Sequence, residues 1–560
     1  MVSSLQVGAR IAPRDPKHVM RLSRMGAFHP SRLSFMRILL RRIADERWQF
    51  DRPVWKFDDK GVGHAVYRAI APDRIYSLVV FAHDLPADQR SDRVIAEAWD
   101  ATFALFDGEP TKADITRLSK NVPKQEAGRL TQRELTLSRA NRSVRLFDTV
   151  VTCLANGRQP KREDLDAVGY LMRTTAVYGS GKFGLADRDV IAGRRELAAP
   201  FQAEMLTVWL IRAFTIDIAD HLAAARGGAS ATVLSPELRR SLGVGNSTGL
   251  GMAPFLLRHP ALIHAWVSAR EEAFARVRRI PRVTASDLMR LAGLVEKARA
   301  NAGLWRTDHP LQLEKLLGLR HDLETLSEHL RSAKYDGAYP WHRLWLWAER
   351  HLGIEAQEQL VSLMIEPYGA LVDDLADQMS CDEEAEFTID AQQTIGALKA
   401  FVETRYDWAL AIDWNKPAAN ARLWYVSEEK LEPRLADRAE EPLEAFEQAL
   451  APGRDIAAMA RTLDDWPDAD PIAGFLAAHP EHRHSVRRVQ LCARYPYAEV
   501  WDNTICADMM PIDLLRAKLS FFGATRFDPR SDRWVRIAMY LGAPGPEDLD
   551  HRGFDGWMLA

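Results

Sequence analysis

The alternation of apolar and polar positions near the N-terminus predicts β-strands. Between residues 52 and 86, aromatic and β-branched residues at 54–57 and 75–81 flank turn residues at 58–61 and 71–73. Short runs of this kind, bounded by Asp, Gly and Pro, are typical of strands joined by tight turns. The sequence therefore predicts an antiparallel meander in this region.

Helical periodicity follows the predicted strands. It covers residues 91–107 and 125–155, and from 161 to 380 nearly the whole chain shows apolar positions at helical spacing. The segment from Pro200 to Ala225 is apolar over most of its circumference, which is typical of a buried helix. The middle of the chain is therefore expected to form a helical body.

Alternating patterns return after the acidic stretch 381–386, which we interpret as a solvated connection. The candidate strands beyond it are 408–414, 422–427, 485–492, 498–505 and 533–540. The fold class is predicted as α+β and predominantly helical, with a central helical body and antiparallel strands contributed by the N- and C-terminal regions. We expect three regions: an N-terminal α+β region with the meander (1–160), the helical body (161–380) and a C-terminal α+β region (381–560).

Charge and cysteine content narrow the class of protein. The 560 residues include 74 Lys and Arg against 77 Asp and Glu, and this balance makes nucleic-acid binding through the basic region 124–145 unlikely. Four widely separated cysteines are too few for a disulfide scaffold, which favours a reducing compartment and a cytoplasmic location. The longest apolar stretch, Met205 to Ile218, is shorter than the roughly 20 residues that cross a bilayer, so a soluble protein is expected.

The arginine-rich N-terminus can be read as a targeting segment, a basic arm or an ordinary helix. A helix beginning near Pro30 would place Leu33, Met36, Leu40 and Ile43 on one apolar face. The arginines at 37, 41 and 42 would lie largely outside that face. The periodicity favours an ordinary surface helix.

The first motif that points to chemistry is the glycine-rich segment 178–184, Tyr-Gly-Ser-Gly-Lys-Phe-Gly. It departs from a P-loop because Ala176 stands at the first glycine position and Phe183 replaces the hydroxyl residue, which argues against a nucleoside triphosphatase. Ser180, Lys182 and, further along, Arg188 remain as donors for an anion. The alternative is a tight turn between helices with a solvated lysine.

The second motif is the segment 243–251, in which Asn246, Ser247 and Thr248 stand between glycines. If Pro254 occupies the first turn of a following helix, this polar loop lies at the helix N-terminus, where free N–H groups favour anions. The alternative is that one of the three side chains only caps that helix.

The glycine pattern of the second motif resembles the flexible serine-rich loop that lyases of the aspartase and fumarase type close over a carboxylate substrate. The resemblance covers about ten residues. Phe255 and Leu257 stand where such loops continue with lysine and asparagine. The resemblance implies that this loop contacts a carboxylate.

Glu204 and Arg212 are the polar exceptions in the apolar segment 200–225. A buried charge needs a partner, so structural ion pairs are one interpretation. The functional interpretation makes Glu204 a general acid or base and Arg212 a carboxylate ligand. Asp217 and His221 share a helix face, but no third ligand is evident and no metal site is predicted.

The sequence evidence for functional groups near the C-terminus is weaker. Asp502 and Cys506 follow a candidate strand, and a buried structural cysteine is favoured over a nucleophile. Three histidines between 479 and 484 lack the spacing of a zinc site and favour a solvated turn.

Together these patterns predict an enzyme, a lyase or transferase, that binds a small anionic metabolite with a carboxylate or phosphate between the two loops. Elimination or proton transfer is the expected chemistry, with Glu204 and Lys182 catalytic. The predicted substrate contacts are Ser180, Arg188, Arg212, Asn246, Ser247 and Thr248. The cofactor is unknown, and an oligomer is possible. The alternative is a noncatalytic helical scaffold or regulatory protein that offers Trp341, Trp345 and Trp347 to a protein partner.

Overall fold

The chain has an α+β fold, as its sequence predicts. The computed structural model describes residues 11–84, 99–121, 131–179, 193–197, 199–249, 259–307, 309–379, 387–416, 424–426, 434–435, 448–450, 452–501, 511–523, 526–529, 534–549 and 557.

The α-helices range from single turns to a helix of 26 residues. They are α1 (Pro16–Val19), α2 (Leu22–Met25), α3 (Phe35–Asp45), α4 (Lys112–Asn121), α5 (Phe147–Ala155), α6 (Arg162–Val168), α7 (Gln202–Gly227), α8 (Pro236–Arg240), α9 (Pro260–Arg278), α10 (Ala285–Leu304), α11 (Pro310–Ser332), α12 (Pro340–His351), α13 (Ile354–Ile365), α14 (Gly369–Val372), α15 (Ile395–Arg405), α16 (Asp407–Leu410), α17 (Pro452–Leu463), α18 (Ile472–Ala478), α19 (Arg483–Arg494) and α20 (Pro511–Phe522).

The described strands form two sheets. The strands are β1 (Gln49–Phe57), β2 (Gly63–Ile70), β3 (Ile75–Asp84), β4 (Trp99–Asp107), β5 (Glu134–Arg142), β6 (Tyr170–Gly179), β7 (Gly243–Gly249), β8 (Trp424–Val426), β9 (Arg434–Leu435), β10 (Gln448–Leu450), β11 (Arg526–Pro529) and β12 (Trp534–Met539). The larger sheet has the order β1-β2-β3-β4-β5-β6-β7-β12-β11, and the smaller one has the order β10-β8-β9. The larger sheet therefore takes strands from all three predicted regions, and the division into three regions stays a prediction.

The N-terminal meander is confirmed. β1, β2 and β3 pair antiparallel in sequence order. The first turn is set locally: Asp58 Oδ1 accepts hydrogen bonds from the backbone N–H groups of Lys60 and Val62, and Gly61 adopts a φ of 76°. Only a residue that tolerates the left-handed region fits at that position without strain.

The two helices predicted near the N-terminus are wrong over most of their described residues. In the segment 91–107 the described residues form β4, and in 125–155 they form β5 first, so that only the last part, α5, is confirmed as helix. In β4 the apolar Trp99, Ala101, Phe103 and Leu105 alternate with Asp100, Thr102 and Ala104. That period of two places one apolar set on one face of the sheet, which a helix would not do.

The strands predicted in the C-terminal region are only partly confirmed. β8 and β12 lie where strands are predicted, whereas α16 and α19 occupy the segments 408–414 and 485–492 in place of strands. α19 buries Val486 and Val489 against a separate core that α15, α17 and α18 share. Tertiary burial at helical spacing thus overrides the β-branched content of this segment.

Helix α7 lies at the centre of the main core. Its Phe214 ring packs against Tyr67 of β2 and Phe103 of β4, and buried residues occur all around the helix. The predicted helix from Pro200 to Ala225 is confirmed, with a shift of two residues. In the described ranges, no helix is both long enough and apolar enough to cross a bilayer.

The N-terminal residues are held by buried ion pairs. Arg14 donates to both Glu271 of α9 and Glu358 of α13, with distances of 2.7 Å to each carboxylate. In α3, Arg37 is only 2 % exposed and pairs with Glu366. The expectation of an ordinary surface helix is therefore wrong: most of α3 is buried, and Arg37 is accommodated there because a buried carboxylate stands opposite it.

Candidate functional site

The strands β6 and β7 form the one parallel pair in the described sheet. Tyr170 pairs with Gly243 and Thr174 with Asn246, whereas all other neighbouring strands described in this sheet are antiparallel. Parallel strands run in the same direction, so β6 and β7 end on the same side of the sheet, at Gly179 and Gly249. We call this side the carboxyl end of the β6–β7 pair.

The crossover between these strands contains α7, and its first turns lie beside β6. Thr207 Oγ1 and Thr136 Oγ1 are 2.6 Å apart, and Thr136 pairs with Gly179 at the end of β6. Glu204 lies one turn before Thr207, on the same helix face, and is 2 % exposed. The fold therefore brings Glu204 to the carboxyl end of the β6–β7 pair.

The two glycine-rich motifs start and end at this carboxyl end. Tyr178 and Gly179 are the last residues of β6, and the predicted contacts Ser180, Lys182 and Arg188 lie outside the described residues. The second motif is expected to be a loop, but its residues 243–249 form strand β7. There Asn246, Ser247 and Thr248 pair with Ile537, Arg536 and Val535 of β12.

Two glycines of the second motif are explained by packing. A Cβ added to Gly243 would lie 2.3 Å from the carbonyl oxygen of Met539, and one added to Gly245 would lie 2.5 Å from the ring of Tyr170. Close approach of neighbouring strands and side chains therefore requires glycine at both positions. These two glycines carry no information about a ligand.

Arg212 lies toward the opposite end of the β6–β7 pair from Glu204. Its guanidinium donates to the carbonyl oxygens of Leu242 at 2.6 Å, Pro544 at 3.1 Å and Arg239 at 3.2 Å. Leu242 directly precedes β7, so this contact is at the strand's amino end. Burial lowers the pKa of Arg212 to about 10. The observed contacts fit a structural role that joins α7 to the start of β7 and to the C-terminal turn.

The other groups singled out in the sequence have local partners. Asp217 accepts from Tyr67 and Arg52, and His221 Nε2 lies 2.9 Å from the carbonyl oxygen of Asp58. Within the described ranges, no three His, Cys, Asp or Glu side chains are grouped so that they could hold a metal ion. The predicted surface role of the tryptophans is wrong for Trp341 and Trp345, which are each 1 % exposed.

Cys492, a buried cysteine of α19, does not support nucleophilic chemistry. Burial, together with the nearby Glu499 carboxylate, raises the pKa of Cys492 to about 12. A thiol of that pKa is not a nucleophile near neutral pH. Cys506 and Asp502 lie outside the described residues.

The sequence prediction missed a polar group on the face of the sheet that points away from α7. His83 pairs with Asp100, and Thr102 with Arg139; Asn141 lies two positions beyond Arg139 and so on the same face. Arg139 donates to Asp100, and His83 Nε2 lies 3.2 Å from Thr102 Oγ1. In the described part of the chain, Asp100 Oδ1 and both polar side-chain atoms of Asn141 have no hydrogen-bond partner.

Burial separates the pKa values of this group. It raises the pKa of Asp100 to about 6, against the opposing charge of Arg139, and together with that charge it lowers the pKa of His83 to about 4. Such protonation states suit acid–base chemistry. Asp100 and Asn141 are, however, at most 4 % exposed. The alternation in β4 is the signal that could have located them.

Comparison with known proteins adds no assignment, because no family model, curated protein or solved structure matches the chain.

Proposed function

We propose that the chain is an enzyme that binds a small anionic metabolite, bearing a carboxylate or a phosphate, at the carboxyl end of the β6–β7 pair. The observation that supports this proposal is the parallel pairing of β6 with β7 through the α7 crossover. In α/β crossovers, ligands bind beyond the carboxyl ends of parallel strands. The first glycine-rich motif begins in the last residues of β6 and the second motif includes β7, which makes this end the expected place of an anion.

The start of α7 adds a second reason to expect an anion. Its N-cap residue, Phe201, has a φ of 62° and makes no side-chain hydrogen bond to the first turn. The first N–H groups of a helix and the positive end of its dipole attract negative charge. An anion near this turn would be stabilised by the backbone as well as by side chains.

The proposed roles follow the sequence motifs. Ser180, Lys182 and Arg188 come after β6 in the sequence and would contact the anion, together with the polar residues 246–248 of β7. Glu204 would transfer a proton to or from the carbon next to the anionic group, with Lys182 as the second catalytic residue. Elimination or proton transfer by a lyase or transferase is the reaction class that needs no more than these groups.

The test is a double-mutant cycle. Thermal-shift screening of small carboxylates and phosphates first identifies an anion, because a bound ligand raises the unfolding temperature. We then expect Lys182→Ala and Ser247→Ala each to weaken binding in calorimetry, with Lys182→Ala costing more because it removes a charge. Residues that share one ligand are coupled, so the double variant should depart from additivity. Lys161→Ala, at an exposed position before α6, is the matched control.

A second readout separates binding from catalysis. Glu204→Gln keeps the side-chain shape and should retain the anion while slowing exchange of its carbon-bound proton with solvent deuterium, followed by NMR. Strict additivity in the cycle, or full exchange in Glu204→Gln, would contradict the proposal. If no anion binds, the alternative of a noncatalytic scaffold or regulator would be favoured.

A further inference from the structure

A cavity of about 260 Å³ lies at the amino end of β7, away from the carboxyl end discussed above. Strands β1 and β2, helices α7 and α8 and the turn 545–548 line it, and it opens to solvent. Its volume is near the lower end of the about 300–1,000 Å³ typical of small-molecule sites. It has room for a compact ligand and not for a nucleotide or a peptide.

The cationic groups in the wall are already engaged. The pairs are Arg52 with Asp217, Arg68 with Asp51 and Glu109, Arg239 with Asp220, and Arg240 with Asp548, while Arg212 donates to backbone carbonyl oxygens. A ligand that needed donors from the protein would have to break these contacts. The wall is therefore poorly suited to an anion.

The hydrogen-bonding capacity that is left consists of acceptors. Asp217 Oδ2 accepts from Tyr67 and Arg52, both at 2.7 Å, whereas Asp217 Oδ1 accepts from no residue in the described ranges. The exposed Glu547 carboxylate in the cavity wall likewise forms no ion pair with a described residue. A ligand that fits these oxygen atoms must bring donors.

The charged side chains around the cavity also give an anion no advantage. Five arginines and four carboxylates line the cavity, and Glu109 and Asp220 pair with two of those arginines from outside the lining. The group as a whole thus carries one negative formal charge more than positive. The wall therefore holds no net positive charge that would favour an anion.

Aromatic rings supply the apolar part of the wall. Phe50 and Trp209 meet edge to face with ring centroids 4.8 Å apart, and Ile216 and Pro546 complete this side. The indole N–H of Trp209 already donates to the carbonyl oxygen of Pro544 at 3.1 Å. Because Trp209 is only 1 % exposed, the half-buried Phe50 ring, which Trp209 backs, offers the surface for packing and for cation–π contact.

We propose that this cavity binds a small organic cation, an amine, amidine or guanidine with a compact apolar body, whose N–H groups donate to Asp217 Oδ1 and to Glu547. The apolar body would pack against Phe50 and Pro546. This site is independent of the proposed anion site, which lies at the opposite end of β7. The two proposals can therefore fail separately.

The test compares two probes of the same size and opposite charge. Isothermal titration calorimetry on the full chain should show binding of benzamidine and none of benzoate, each up to about 10 mM. Asp217→Asn should weaken benzamidine binding about tenfold or more, because charge-assisted hydrogen bonds are roughly twice as strong as neutral ones. Glu547→Gln, at an exposed position that does not threaten folding, should weaken it about threefold.

Asp148→Asn is the control for these variants, since Asp148 is an exposed carboxylate on α5 that pairs with Arg226 outside the cavity. It should bind benzamidine as the wild type does. The proposal would be overturned if benzamidine failed to bind or if benzoate bound equally well. It would also be overturned if Glu547→Gln and a correctly folded Asp217→Asn both bound benzamidine with unchanged affinity.

Discussion

Glu358→Gln is expected to destabilise the protein by about 3–5 kcal/mol, because it breaks a buried charge network at its centre. The Glu358 carboxylate is fully buried and accepts from Arg14 at 2.7 Å, Arg24 at 2.6 Å and Arg270 at 2.7 Å. Glutamine has the same shape but no charge, so these guanidinium groups would remain buried beside a neutral amide. Glu271, which also pairs with Arg14 and Arg270, would be left to compensate them.

The pH dependence follows from the direction of the pKa shift. Burial alone would raise the pKa of Glu358, but Arg14 and Arg270 outweigh it and hold the pKa well below its ordinary range. A depressed pKa contributes stability that is complete above the pKa of the unfolded chain, about 4.3, and is lost as the pH falls below it. The difference between wild type and Glu358→Gln should therefore shrink in acid.

Urea denaturation, with hydrogen exchange of the peptide 11–25, measures the effect. The variant should show a lower free energy of unfolding and faster exchange in this peptide, because Arg14 and Arg24 hold it to α9 and α13. Glu349→Gln, at an exposed position of α12, should stay within about 0.5 kcal/mol of wild type. A change below about 1 kcal/mol in Glu358→Gln at neutral pH would refute the reasoning.

Two further predictions concern the sheet. Gly245→Ala should lower the urea midpoint by an amount equivalent to about 1–3 kcal/mol, because the new Cβ overlaps the Tyr170 ring. The same change in a Tyr170→Leu background should cost less. Full stability of the single variant would contradict the packing argument. Asp100 has a folded pKa raised to about 6, so its contribution should become unfavourable by about 3 kcal/mol as the pH rises from its ordinary pKa through 6. Asp100→Asn should flatten this part of the stability curve, and an unchanged slope in urea titrations would contradict the assignment.

Local chemistry was enough to predict the meander and α7. The turn at Asp58 and Gly61 is fixed by its own residues, through side-chain acceptors and a left-handed φ. α7 is apolar on all sides, which leaves a buried helix as the only stable arrangement. Both signals act within a few residues, so the sequence alone contains them.

The strands that build the candidate site depend on distant partners. β7 is rich in glycine and polar residues and reads as a loop, yet it is held between β6 and β12, which come from chain segments on either side of it. Gly243 and Gly245 are explained by Met539 and Tyr170, residues that no local pattern places beside this strand. Strand content of this kind is set by tertiary context rather than by propensity.

The separation of Glu204 and Arg212 decides how the two proposed sites relate. Eight residues along α7 correspond to about 12 Å, and the two side chains serve opposite ends of the β6–β7 pair. A compact anion at Glu204 therefore cannot reach Arg212, and a cation beside Asp217 cannot reach Glu204. Sites this far apart usually act additively. Coupling between anion and benzamidine binding would consequently require a movement of α7 itself, and calorimetry of one ligand in the presence of the other would detect it.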